Sequence, residues 1–342
     1  MTALESRAAE TAPAPRPLLA DGFGRRFRYL RLSVTEVCNF RCAYCLPDGY
    51  QKSAAPPLFL ETAEIARLVA GFAALGVTKV RLSGGEPSVR RDLTEIIGVV
   101  AATPGVEKVA LTTNGWGLGQ KVRDWREAGL THLNVSVDTL DPALFARITG
   151  HDRLPEIMAG VDAALGLGLG AVKLNAVLLS DTAETAFEQF ADWLRDRPAT
   201  VRFIELMRTL DNVAYFEDQH VRAGRLEAWL AARGWTRTPR LADDGPAVEY
   251  RHPDYAGRFG IIAPYAADFC DGCNRLRVTS RGLLRLCLFG EGGVNLRDLL
   301  ADDVEPERLE RRILDALPTK ARGHELMLAR SGDLRRMADV GG

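Results

Sequence analysis

The predicted fold is α/β: an incomplete (βα)6 TIM-type barrel with a smaller C-terminal α+β extension closing its open side. Three observations lead there. Strand-type runs alternate with helix-period segments six times, which asks for parallel strands joined by right-handed crossovers. Within the runs, apolar and polar residues alternate with period two, so each strand has one apolar and one polar face. Residues with chemistry to offer gather just after the runs, beyond the C-terminal strand ends where such folds keep their sites. A doubly wound sheet would satisfy the first and third observations as well. At 342 residues, 46% apolar and 26% charged, the chain suits one large α/β unit plus a smaller one.

Residues 1–27 are rich in Ala, Pro and Arg and have no continuous apolar stretch; they read as a disordered tail, not a secretory signal. The barrel unit spans 28–235. Its strand runs are 29–34, 79–82, 108–111, 132–137, 172–179 and 201–206. Helical spacing occupies 63–75, 91–102, 120–128, 154–165 and 184–194, with a further stretch near 222–232. Thr62, Asp141 and Thr182 are suitable helix caps. The Pro/Asp/Gly stretch 238–246 suits a linker into the C-terminal unit, 236–342, with short strand-type pieces at 248–250, 258–262, 276–279 and 283–288 and a helix at 308–316. The glycine-rich 166–170 precedes a strand and opens no helix, so it reads as a turn and not as a dinucleotide fingerprint. No run of about 18 apolar residues occurs, so no membrane span is expected. The net charge of −1 points to neither nucleic acid nor an anionic membrane.

The alternation assigns faces. Leu30, Leu32 and Val34 oppose Arg31, Ser33 and Thr35; Val80 and Leu82 oppose Lys79, Arg81 and Ser83. On later strands Leu133, Val135 and Val137 oppose Asn134 and Ser136, and Lys173 shares a face with Asn175. The polar side thus carries Arg31, Arg81 and Lys173. Cations in a dry interior without partners are costly, so the lumen is wet and holds an anion, or else the cations pair with Glu86, Glu205 or Asp138.

After the first run comes Cys38-Asn39-Phe40-Arg41-Cys42-Ala43-Tyr44-Cys45. A structural zinc site wants four ligands, and so does an electron-carrying [4Fe–4S] cube. Three cysteines leave one iron open to a small molecule; three unrelated buried cysteines are the plain alternative. Cys270, Cys273 and Cys287 form a second set. Zinc there would need His252 or His324, neither at conventional spacing, so a second three-cysteine iron–sulfur site is the more economical reading. The five histidines are scattered and none is singled out. Asn274-Arg275-Leu276-Arg277 brings two guanidinium forks, suited to phosphate, beside that set. Six cysteines grouped three and three fit metal binding in a reducing cytosol better than a disulfide framework.

These residues carry a resemblance. The first cysteine run, with Tyr44 before its last cysteine, and Gly84-Gly85-Glu86-Pro87 after the second strand resemble the radical S-adenosylmethionine superfamily. Segments 82–87, 90–93, 111–115, 134–138, 172–176, 202–207 and 273–277 and the terminal Gly341-Gly342 are similar, more specifically, to the GTP 3′,8-cyclase family of molybdenum cofactor biosynthesis. The likeness runs from about residue 28 to the last residue. It implies two [4Fe–4S] clusters, one on Cys38, Cys42 and Cys45 and one on Cys270, Cys273 and Cys287. It implies S-adenosylmethionine contacts at Tyr44, Gly85, Ser136 and Met207, and GTP contacts at Arg31, Arg81, Thr112, Lys173, Arg275, Leu276 and Arg277. Catalytic roles fall to Arg275, Arg277, Gly341 and Gly342, the glycine tail entering the active site. The implied lyase reaction cleaves S-adenosylmethionine by one electron, abstracts the C3′ hydrogen of GTP and joins C3′ to C8. Its product is (8S)-3′,8-cyclo-7,8-dihydroguanosine 5′-triphosphate, the first step of molybdopterin assembly.

An external one-electron donor, transfer of product to cyclic pyranopterin monophosphate synthase, a cytoplasmic location and a monomer or homodimer complete that expectation, with no nucleic acid or membrane partner. Three departures from the family pattern stand out: Leu46 in place of Met, Arg208 in place of Pro, and residues 265–268. A radical S-adenosylmethionine peptide-maturing enzyme with an auxiliary cluster is the alternative enzyme, and a zinc-stabilised binding protein the non-enzymatic one.

Overall fold

The computed structural model describes residues 19–52, 58–239 and 245–341. Residues 1–18 of the expected tail, 240–244 of the expected linker and the candidate Gly342 lie outside the described residues. The six predicted runs form β1 (Tyr29–Ser33), β2 (Lys79–Ser83), β3 (Lys108–Thr113), β4 (His132–Ser136), β5 (Ala171–Leu178) and β6 (Thr200–Glu205). They pair in parallel in that order. The crossovers are α1 (Thr62–Ala74), α2 (Leu93–Ala102), α3 (Leu118–Glu127), α4 (Pro142–Thr149), α5 (Leu154–Gly166) and α6 (Ala183–Leu194), followed by α7 (Val213–Gln219) and α8 (Gly224–Ala232).

The short helices α4 and α7 were not apparent from periodicity, which needs more turns to register. Asp141 caps α4 by accepting the Leu144 N–H at 2.9 Å. Thr62 is not a cap: it lies inside α1, whose cap residue is Glu61, and its hydroxyl donates to Asp92. Thr182 stands at the cap of α6 without a side-chain capping bond.

The C-terminal segment contributes β7 (Thr236–Arg237), β8 (Val248–Arg251), β9 (Arg258–Ile262), β10 (Arg275–Val278), β11 (Leu283–Arg285), β12 (Val294–Asn295) and α9 (Pro306–Ala316). It adds to both edges of the barrel sheet: β9 pairs in parallel with β6, and β10 in parallel with β1. Among the described residues all twelve strands form one sheet, and its end strands β12 and β7 do not meet, so the barrel is open. The predicted strand 283–288 stops at Arg285, freeing residues 286–288 to turn toward the barrel mouth. Residues 19–27 are not a tail. Leu19 and Phe27 are buried in the main core, and Ala20 bridges to Arg26.

The apolar strand faces turn to the helices as the alternation requires: Leu30, Leu32, Val80, Leu82, Leu133 and Leu174 are fully buried there. No helix among the described residues is long and apolar enough to cross a membrane. On β6, Phe203 is 2% exposed and meets Phe187 and Phe190 edge to face at 5.1 and 5.6 Å. Phe203→Ala should therefore lower unfolding stability by about 3–5 kcal/mol, read as a fall in the urea midpoint at unchanged slope.

Candidate active site

The polar strand faces open at their C-terminal ends into a cavity of about 290 Å³ lined by all six cysteines, each a free thiol. Cys38, Cys42 and Cys45 approach on the loop after β1, Cys270 and Cys273 on the loop before β10, and Cys287 just past β11. The first loop is held by main-chain bonds from Arg41 N to Thr149 O and Ala43 N to Ile148 O, at 3.1 and 2.9 Å. Phe40 anchors it among Trp116, Phe145 and His151.

The glycine turn after β2 nests on that loop. Gly85 N donates to Thr35 O at 2.8 Å and Glu86 N to Val37 O at 2.7 Å. A Cβ on Gly85 would stand 2.4 Å from Val37 O, so only glycine permits this approach. Glu86 is buried and accepts from Ser88 N, Thr113 Oγ1 and Asn114 N; burial outweighs these bonds and raises its pKa. Its carboxylate therefore shapes the turn and is not a partner for the lumen cations.

The other two expected partners are also engaged. Asp138 accepts from Tyr44 Oη at 3.0 Å and Val177 N at 2.8 Å, and burial pushes it up to about 6. Glu205 takes His220 at 2.9 Å and Arg222 at 3.6 Å. The carboxylate that does meet the barrel cations is Glu249 on β8, 3.2 Å from Lys173 and 2.8 Å from Arg202. Burial brings Lys173 down to about 8, with Arg202 adding to the effect.

Register builds the cationic floor. Arg277, Arg31 and Arg81 stand level on β10, β1 and β2, with Arg275, Tyr29 and Lys79 in the row below. Burial, with Arg81 and Arg275 close by, brings Arg31 down to about 10, and burial lowers Arg277 as well. Burial would raise the Tyr29 phenol, but Arg81, Arg31 and Lys79 outweigh it and bring it down to about 7. Arg81 donates to Tyr29 Oη and, at 3.0 Å, to Thr112 Oγ1. The C-terminal tail enters this space. Gly341, at φ +69°, accepts from Arg31 Nη2 at 3.1 Å and from Ser83 Oγ at 3.2 Å. Just before it, Met337 and Ala338 line the cavity together with Cys45.

Tyr44, Gly85, Ser136, Met207, Arg31, Arg81, Thr112, Arg275 and Arg277 all line the cavity. Two expected contacts do not. Lys173 is drawn into its ion pair with Glu249, and the Leu276 side chain is packed in the hydrophobic core, leaving only its main chain toward the barrel. Sequence reasoning passed over Tyr29, Lys79 and Arg202, although the first two are in phase with Arg31 and Arg81. It also passed over Lys320, which no local pattern marks, and weighed His324 only as a zinc ligand; both line the cavity. Asn212 was missed too: its amide donates to Met207 O at 3.0 Å and Tyr44 O at 3.3 Å, while its oxygen accepts Thr209 N at 2.8 Å. Two of the departures touch each other, since Arg208 N donates to Tyr265 Oη at 3.0 Å, a bond proline could not make.

The donor chemistry fits iron–sulfur clusters. Burial pushes Cys38 up to about 12 and Cys45 to about 11, and raises Cys42 and Cys270, so these thiols keep their protons until a metal displaces them. At Cys273 burial also acts upward, but Arg275 and Lys320 outweigh it and the pKa falls. Buried Arg277 Nη1 and His324 Nε2 have no protein partner, leaving donors for an anionic or acceptor-rich guest.

Residues 32–194 match the family model of the radical SAM superfamily, and 199–326 match that of Molybdenum Cofactor Synthesis C. The chain is 58% identical over 324 residues to the GTP 3′,8-cyclase of Stenotrophomonas maltophilia (strain R551-3), covering 95% of this chain and 99% of that protein. It belongs to the GTP 3′,8-cyclase family. The GTP 3′,8-cyclase of Aeromonas hydrophila subsp. hydrophila is 52% identical over 328 residues, covering 95% of this chain and 96% of its own. That of Synechococcus elongatus is 50% identical over 326 residues, covering 95% and 99%.

Among solved structures, Streptococcus suis SuiB bound to S-adenosylmethionine superposes with a TM-score of 0.58 at 14% identity. The match covers 85% of this chain and 65% of that longer one, a likeness of fold. Membership of the GTP 3′,8-cyclase family makes the chain a radical S-adenosylmethionine enzyme using an iron–sulfur cluster, and it leaves the peptide-maturing and zinc-protein alternatives without support.

The close glycine turn can be tested apart from chemistry. Gly85→Ala should cost about 1–3 kcal/mol of stability and lower the iron the chain retains after anaerobic reconstitution. Gly98→Ala in α2, where a Cβ meets nothing within 4 Å, should be neutral or slightly stabilising in the same denaturation and iron assays.

Proposed function

We propose that the chain converts GTP to (8S)-3′,8-cyclo-7,8-dihydroguanosine 5′-triphosphate, the first committed step of molybdenum cofactor assembly. The observation that carries this reading is that two cysteine triads from distant parts of the chain line one cavity floored by a level row of guanidinium groups. Cys38, Cys42 and Cys45 would hold one [4Fe–4S] cluster and Cys270, Cys273 and Cys287 a second, each with an open iron. When bound, the first cluster with S-adenosylmethionine would supply one-electron radical chemistry at C3′ of GTP; joining C3′ to C8 then calls for one further electron, from the external donor, and one proton to reach the 7,8-dihydro product.

The chain's own residues bind and orient. Tyr44, Gly85, Ser136 and Met207 surround the S-adenosylmethionine end, with Asn212 tying Tyr44 to Met207. Arg31, Arg81, Thr112, Arg275 and Arg277 face the triphosphate and base, joined by Lys79 and Arg202 from the same surface. Lys173 contributes once substrate phosphate competes with Glu249 for it. Leu276 offers its main chain. Gly341 brings the tail beside Arg31, where Arg275 and Arg277 complete the catalytic wall; the same reading gives Gly342 a catalytic role.

The remaining expectations belong to the same reading: an external one-electron donor, delivery of product to cyclic pyranopterin monophosphate synthase, a reducing cytoplasm that keeps six thiols free, and a monomer or homodimer. Residues 28–235 act as the S-adenosylmethionine unit, and 236–342 supply the second cluster.

Anaerobic incubation with S-adenosylmethionine, a reductant and each nucleoside triphosphate in turn tests the proposal. 5′-Deoxyadenosine should form with GTP alone; equal yield with ATP, or with no nucleotide, would sink it. Lys173→Ala and Arg275→Ala should each weaken GTP use roughly tenfold to a hundredfold, as expected for loss of a charge-assisted hydrogen bond. Iron in the first set should be unaffected; loss of that iron would instead make these residues structural.

A further inference from the structure

We infer that the segment 19–27 clamps the second cysteine set, and that Arg25 is the positioning residue that decides where Cys270 stands. The inference rests on the reading that Cys270, Cys273 and Cys287 hold a second iron–sulfur cluster. The clamp is a preformed turn. Asp21 Oδ1 accepts from Phe23 N and Arg25 N, both at 3.0 Å, and Asp21 O accepts from Gly24 N at 3.1 Å, with Gly24 at φ +77°. Phe27 N donates to Leu19 O at 2.9 Å, and both side chains are sealed in the main core.

From this base the Arg25 guanidinium reaches into the C-terminal region. Arg25 and Asp21 are each 8% exposed, and Nε donates to Asp21 Oδ2 at 2.6 Å. The other two nitrogens serve main-chain carbonyls remote in sequence: Nη1 donates to Cys270 O at 3.1 Å and Arg322 O at 2.6 Å, and Nη2 to Ala321 O at 2.8 Å. One planar fork thus joins the Cys270 loop to residues 321–322. Lysine, a point charge on a flexible stem, cannot make this pattern.

The segment that Arg25 pins bears directly on the cysteines. A Cβ on Gly323 would lie 3.7 Å from Cys270 Sγ, and His324 lines the same cavity as Cys270. Lys320 packs over the Phe27 ring and donates to Leu286 O, next to Cys287. The first set hangs on different supports, the carbonyls of Ile148 and Thr149 and the Gly84–Gly85 turn. Loss of Arg25 should therefore be felt by one set only.

The test uses the full chain, purified anaerobically and reconstituted with iron and sulfide, as wild type, Arg25→Lys and Arg25→Gln. Iron and acid-labile sulfide are counted, S-adenosylmethionine binding is measured, and urea unfolding checks the fold. Wild type should hold about eight irons, Arg25→Gln about four with S-adenosylmethionine binding unchanged, and Arg25→Lys an intermediate number. Because Arg25→Gln strands the buried Asp21 charge, the double variant Asp21→Asn/Arg25→Gln removes both charges and should show the same selective loss in a folded chain. Retention of about eight irons by the double variant, or equal loss from both sets, overturns the inference. A wild-type chain holding only about four overturns the two-cluster reading beneath it.

Discussion

The parallel pairing of β10 with β1 sets Arg277 beside Arg31 and, through β2, level with Arg81. Three guanidinium groups abreast in a mostly buried row repel one another and are poorly solvated, which is why burial and mutual repulsion lower Arg31 and Arg277. Such a row is tolerable only where water or a polyanion reaches it. The same pairing draws the loop of Cys270 and Cys273 over the barrel mouth, opposite Cys38, Cys42 and Cys45. Anion demand and metal donors thus arise in one cavity from one strand pairing.

The surrounding carboxylates sharpen that demand. Glu86, Asp138 and Glu205 all line the cavity, yet each is occupied by local hydrogen bonds or ion pairs that shape a loop. Glu249 alone among the carboxylates described here reaches Lys173 and Arg202, and it comes from β8, outside the six-stranded barrel. The C-terminal strands therefore tune the cationic surface as well as deliver three cysteines. Asn212 and Arg25 have parallel tasks at opposite ends: one ties Tyr44 to Met207, the other ties Cys270 to residues 321–322.

Features decided by neighbours in sequence were legible. Alternation on β1 and β2 separated Leu30 and Leu32 from Arg31 and Ser33 because a strand sends successive side chains to opposite faces whatever it packs against. The glycine turn, the two cysteine sets and the family resemblance were local patterns as well. What escaped was short or remote. The eight residues of α4 and the seven of α7 are too few for a period to emerge. The Ala- and Pro-rich start masked a buried turn at 19–27, and His324, one of five scattered histidines, was dismissed although it lines the cavity.

The amino-acid sequence by itself determined the parallel α/β frame, which strand faces are polar, and that the six cysteines fall into two sets of three. Only the tertiary structure decided that the two sets share a cavity, that Leu276 turns to the core, that Lys173 is held by Glu249, and that Arg25 reaches Cys270. The physical reason is range. Backbone geometry and side-chain period act over a few residues, whereas these four outcomes depend on which edge of the sheet each C-terminal strand joins, β10 on β1 and β9 with β8 on β6. That choice is made by the burial and hydrogen bonding of segments far apart in the chain, and no local pattern records it.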